Sequence, residues 1–141
     1  MLLASLAITT AQAAQLSAVA LAKGGAPSNL TIQANFVYGS GGTTADTWVQ
    51  TSLDGGATWT DIANFHFTTA SARFIYNLSA ATPKTTQVTP TDGTLAANTS
   101  VDGVLGPMFR AKSTTVGTYA TSTTLSVNIN AGGVSAPVAV Q

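Results

Sequence analysis

The sequence predicts an all-β protein, an antiparallel β-sandwich or jelly-roll-like fold of about eight short strands with one long loop around residues 79–106. Three observations carry this reading. Charged residues make up only 7% of the 141-residue chain, against about 25% in an ordinary globular protein. All five acids are Asp (Asp46, Asp54, Asp61, Asp92 and Asp102) and no Glu occurs. Exposed helix faces are built from Glu, Lys and Arg, so a helical bundle is all but excluded. Apolar residues instead recur at every second position, between turn signals of Gly, Pro, Asn and Asp. The length suits a single domain, residues 1–141, with 1–22 as an N-terminal strand or arm and 131–141 as a C-terminal tail.

The elements follow in order. Met1–Ala22 (MLLASLAITTAQAAQLSAVALA) carries no charge. Ala11–Ala13 has the A-Q-A form of a signal cleavage site, but no Lys or Arg precedes it to form a leader's basic region. Thr9, Thr10, Gln12, Gln15 and Ser17 interrupt the stretch too often for a membrane span of about 20 apolar residues. One or two initial strands are the better reading, and the lack of a leader fits a cytosolic product or a part assembled in the cytosol. Leu30, Ile32, Ala34 and Phe36 alternate with Thr31, Gln33 and Asn35, the mark of a half-buried strand that ends at the Gly39–Gly42 loop. Asp46–Thr51 is the next strand, and Asp54-Gly55 predicts a tight hairpin, because type I′ turns need positive φ. The return strand is expected from about residue 57 to Phe67.

Alternation resumes with Ala72, Phe74, Tyr76 and Leu78 opposite Arg73, Ile75 and Asn77. From Ser79 to Gly106 it dissolves into Thr, Pro, Asn, Asp and Gly. So long a connection in a compact domain points to a function for the loop. Strands return over Met108–Lys112 and Thr123–Asn130, separated by a turn at Gly117. In the final segment Val134, Ala136, Val138 and Val140 alternate, and Pro137 confines it to an edge or an extended arm. The aromatic residues concentrate in the middle hairpins, which are expected to form the core.

Composition restricts function. The formal net charge is zero and no basic run occurs, which removes the electrostatic basis for binding nucleic acid or an anionic membrane. The absence of cysteine excludes disulfides, thiolate metal sites and a Cys nucleophile. His66, the single histidine, lies between Phe65 and Phe67 on a strand, and no G-x-S-x-G elbow exists to use it. Four of the five Asp residues sit beside Gly or in polar stretches typical of turns rather than in pairs suited to acid–base work. Asp92-Gly93 and Asp102-Gly103 read as turns, since no D-x-[DN]-x-[DN]-G run accompanies them to hold Ca²⁺. The sequons at Asn29, Asn77 and Asn98 are chance matches in a Thr/Ser-rich chain. No enzyme, cofactor or metal is expected.

One motif is sharp. Ser52, Asp54, Gly56, Thr58 and Trp59 match the Asp-box pattern S-x-D-x-G-x-T-W at every defined position. It resembles the hairpin motif that recurs in sialidase propellers. There it stands away from the catalytic centre, so it implies a structural clasp, with Asp accepting backbone N–H bonds and Trp covering the turn. Sialidase chemistry needs an arginine cluster, and this chain has only Arg73 and Arg110.

Three longer stretches carry a family resemblance: Leu30–Ser79 (LTIQANFVYGSGGTTADTWVQTSLDGGATWTDIANFHFTTASARFIYNLS), the polar loop TPTDGTLAANTSVDGVLG, and FRAKSTTVGTYATSTTLSVNI. Together they resemble small β proteins encoded among the structural genes of tailed bacteriophages. The resemblance implies a non-enzymatic virion component assembled in the host cytoplasm. Its expected role is that of a capsid decoration (cement) protein, a homotrimer whose partners are itself and the major capsid protein. The alternatives are a tail or neck structural protein and a carbohydrate-binding module that would use Trp48, Trp59 or Tyr38 as a stacking platform.

Overall fold

The computed structural model describes residues 1–8, 15–22 and 25–132. All regular structure in them is β. The strands are β1 (Leu2–Ala7), β2 (Gln15–Leu16), β3 (Ala20–Leu21), β4 (Asn29–Val37), β5 (Ser40–Gly41), β6 (Thr44–Ser52), β7 (Thr60–Phe67), β8 (Ala72–Ser79), β9 (Met108–Val116), β10 (Tyr119–Ala120) and β11 (Thr124–Gly132). One sheet has the order β1-β11-β4-β8. The other has the order β2-β9-β6-β7, with β3 also paired to β9. Every pairing is antiparallel.

If β2 and β3 are taken as one interrupted strand along β9, and the two-residue ribbon of β5 and β10 is set aside, eight strands remain. The first then pairs with the eighth, the second with the seventh, the third with the sixth and the fourth with the fifth. This is a long antiparallel ribbon wrapped into two facing sheets, which is jelly-roll order. The two-residue strands account for the excess over the eight expected.

The core lies between the sheets, where every second residue of each strand points inward. Leu30, Ile32, Ala34 and Phe36 of β4 in one sheet, and Ala63, Phe65 and Phe67 of β7 in the other, are all buried in this interior. Phe36 stacks on Phe67 with ring centroids 5.0 Å apart and meets the edge of Tyr119 at 5.7 Å. Phe65 packs on Tyr76 at 4.9 Å. Burial of such rings supplies most of the driving force for closing the sandwich. Among the described residues, every buried side-chain nitrogen and oxygen has a hydrogen-bond partner.

Several local expectations change. The hairpin after β6 is not a two-residue turn. Its loop runs over 53–59, and positive φ falls on Gly55 (73°) and Gly56 (93°) rather than on Asp54. The Asp-box hydrogen bonds described below need this longer loop, so β7 starts at Thr60 and not near 57. Strand β9 continues past Lys112 to Val116, because β6 offers a partner along its whole length. Phe74 is half-exposed and Ile75 exposed, since β8 ends its sheet and, among the described residues, pairs with β4 alone. Residues 1–8 and 15–22 pack on their own domain as β1, β2 and β3. The Ala11–Ala13 site and the alternating segment 134–141 lie outside the described residues.

Candidate functional site: a docked loop and an apolar edge

A β-bulge begins the construction. Val49 pairs with Ala63 and Gln50 with Asp61, so Ile62 is the extra residue in β7. The alternation shifts by one there, and Asp61 joins Gln50 on the outer face of the sheet. The same face carries Trp48 opposite Asn64, and Asp46 opposite His66. A strand face this polar must be solvated or covered by polar partners. The segment 80–107 covers it.

Asp61 is the anchor. Its carboxylate accepts hydrogen bonds from five donors: Gln50 Nε2 (2.7 Å), Thr91 Oγ1 (2.8 Å) and the backbone N–H groups of Gly93 (2.8 Å), Thr94 (3.0 Å) and Leu95 (3.1 Å). Three successive N–H groups converging on one anion form a backbone nest, here closed on a side chain of the same chain. Gln50 extends the network, donating to Asp92 at 2.7 Å and accepting from Arg110 Nε at 2.7 Å. Lys112 Nζ reaches Asp92 at 2.9 Å. The hydrogen bond from Gln50, followed by that from Lys112, holds the Asp92 carboxyl below the usual carboxylate range.

Further along, Asn64 Oδ1 accepts the Asn98 N–H at 2.9 Å, and Asn98 Oδ1 accepts the His66 N–H at 3.1 Å. His66 Nδ1 lies 2.9 Å from Asp46 Oδ1. Trp48 is buried beneath the segment and donates through Nε1 to the Leu95 carbonyl at 2.9 Å. At the loop's outer turn Asp102 accepts the Ser79 N–H and the Thr82 hydroxyl. These bonds, the backbone one first, lower its pKa.

The Asp-box residues are brought together as a clasp. Ser52 Oγ donates to Asp54 Oδ1 at 2.9 Å and accepts the Gly56 N–H at 2.8 Å. Asp54 accepts the Thr58 N–H at 2.8 Å and the Thr58 hydroxyl at 2.6 Å. Chiefly through the Thr58 hydroxyl, its pKa falls to about 2. Trp59 Nε1 donates to the Gly56 carbonyl at 3.1 Å, and the Arg110 guanidinium sits 4.3 Å from the centre of its ring. Trp59 is therefore covered by Arg110, and Tyr38 packs on Phe36 and Tyr119. None of the three aromatic residues expected as a glycan platform stands as an open ring.

Asp92 and Asp102 serve turns and the loop network, and among the described residues no cluster of three or more His, Cys, Asp or Glu converges as a metal site would require. Sequence reasoning missed Gln50, Asp61 and Asn64. Their signal was present, since each is polar within a strand whose both faces proved to be covered.

The opposite side of the sandwich has a different character. Met1, Leu2, Leu16, Val19 and Leu21 are each 47–64% exposed, and no side chain from Met1 to Ala22 is charged. No helix among the described residues is long and apolar enough to cross a membrane. In comparisons with known proteins, no family model, no curated protein and no solved structure matches this chain.

Proposed function

We propose that this chain is a non-enzymatic structural protein of a virion, a capsid decoration protein that associates as a homotrimer over the major capsid protein shell. The observation that carries the reading is the set of exposed apolar residues on β1, β2 and β3, where no side chain is charged. A protein that works alone in solution has little use for such a surface, whereas one that assembles buries it. Jelly-roll order gives support by analogy, since capsid and lectin domains both use it. Of those two, the lectin-like use is disfavoured by the covered state of Trp48 and Trp59. The low charge lets many copies crowd on one shell without mutual repulsion.

The experiment is co-sedimentation of the purified protein with isolated heads and, separately, with isolated tail tubes. The expected result is saturable binding to heads in many copies per particle. Binding to tail tubes with none to heads would transfer the assignment to a tail or neck protein, and binding to neither would refute both.

A further inference from the structure

Strand β8 leaves part of its backbone open. It pairs with β4 in one unbroken register, from Asn29 opposite Ser79 to Phe36 opposite Ala72. In an antiparallel pair alternate residues turn both N–H and C=O toward the neighbour. The Ala80 N–H donates to the Ser28 carbonyl, so in this register the even-numbered residues of β8 face β4. Arg73, Ile75, Asn77 and Ser79 therefore face away from it. Ser79 agrees with this parity, since its N–H donates to Asp102 Oδ1 at 2.6 Å. The outward N–H and C=O groups of Arg73, Ile75 and Asn77 have no backbone partner among the described residues.

The facing sheet treats its edge differently. There the segment 80–107 closes β7: the Asp61 and Asn64 N–H groups donate to the carbonyls of Thr91 and Thr99, and the Val101 N–H donates to the Ile62 carbonyl. Solitary proteins blunt an open edge with charges, proline or a bulge. β8 has no proline and no bulge, and Arg73 is its single charge. The centre of the open stretch is apolar on both faces. Phe74 stacks on Phe67 at 5.4 Å yet remains 44% exposed, and Ile75 is 58% exposed.

This edge is complementary to itself. A two-fold axis through Ile75 sets two β8 strands antiparallel, and Ile75 exchanges both backbone hydrogen bonds with Ile75 of the partner subunit. Arg73 does the same with Asn77 of the partner subunit. Side chains then meet in kind: Ile75 lies beside its own counterpart, and Phe74 lies opposite Tyr76 of the partner subunit. The two Arg73 residues stand about 14 Å apart, beyond a Debye length of about 10 Å, so like charges do not meet. With a formal net charge of zero, the copies do not repel on approach. A segment selected through Arg73 would carry a carboxylate, whereas the centre of this edge calls for backbone pairing flanked by apolar side chains.

We propose that two copies of this chain pair their β8 strands antiparallel about Ile75, joining their β1-β11-β4-β8 sheets into one. The inference goes beyond the functional reading and does not rest on it. β8 stands apart from β1, β2 and β3, so trimers built through those strands would be linked to one another through β8. The contact is isologous and shorter than a standard interface of about 20–30 residues a side, so association is weak in dilute solution and is best read by trapping.

A single cysteine provides the trap, because the chain has none. Residues opposed in a hydrogen-bonded pair have Cα atoms about 5.5 Å apart, within disulfide reach, whereas Arg73 and its counterpart at about 14 Å are not. Under mild oxidation Ile75→Cys should form a covalent dimer at least about tenfold faster than Arg73→Cys, read on non-reducing gels. Ile75→Lys keeps the backbone and sets two ammonium groups against each other across the axis. In sedimentation equilibrium up to millimolar concentration it should weaken two-fold association by about tenfold or more, with the circular dichroism spectrum unchanged.

Equal trapping of the two cysteine variants would mean chance collision and overturns the proposal. So does an unmodified chain with no two-fold association at millimolar concentration, or an association indifferent to Ile75→Lys. Absence of a trimer while Ile75→Cys still traps a dimer would refute the functional reading and leave this inference standing.

Discussion

Replacing Asp61 should undock the loop before it unfolds the domain. Asp61 is 1% exposed, and its carboxylate takes hydrogen bonds from five donors, three of them successive backbone N–H groups. A hydrogen bond to a charged group contributes about 1.5–3 kcal/mol. Summed over five donors, that approaches or exceeds the whole stability of a typical domain, about 5–15 kcal/mol. The sum is therefore never realised. Once the anchor is lost, the loop lifts and water satisfies the freed donors. The cost is capped by the docking energy, which we place at about 3–5 kcal/mol for Asp61→Ala.

Asp61→Asn keeps the shape and one acceptor oxygen but turns an NH₂ toward N–H donors. It should cost about 2–4 kcal/mol. Two measurements follow the event locally. Amide hydrogen exchange at Gly93, Thr94 and Leu95 should accelerate well ahead of exchange in β4 and β11. Acrylamide quenching of tryptophan emission should rise as Trp48 loses its cover. An Asp61→Asn protein with wild-type urea midpoint and unchanged protection of those three amides would refute the anchoring role.

Two further predictions concern the clasp and the core. Asp54 titrates at about 2 in the folded protein, below the ordinary 3.8. Its contribution to stability is thus fully present above pH 3.8 and is lost as pH falls from there toward 2. Thermal melts between pH 5 and 2 should show a decline that is shallower in Asp54→Asn, and identical profiles would show that the clasp does not depend on the charge. Phe36→Ala removes a buried ring stacked 5.0 Å from Phe67. It should cost about 3–5 kcal/mol in urea denaturation with an unchanged slope, whereas a loss below about 1 kcal/mol would mean that the site collapses around the deletion.

The sequence by itself determined what depends on near neighbours. Alternation over Leu30–Phe36 and Asp46–Thr51 dictated strands, because the pleat sends every second side chain to one face. Scarcity of charge and the lack of Glu decided against helices. Ser52, Asp54, Gly56, Thr58 and Trp59 marked the clasp in full, because its bonds close within a few residues.

The tertiary structure decided what depends on distance along the chain. Asp61 and Leu95, or Trp48 and Leu95, come together only after the sheets have formed. No local pattern announces that an irregular segment will close over a strand face. The alternative reading of Trp48 as a platform was not closed by the sequence, and the docked loop decided that it is covered. The order of the strands was likewise out of reach, because alternation fixes which face of a strand is buried and not which strand lies beside it. For the same reason only the assembled sandwich revealed that one long side is capped by residues 80–107.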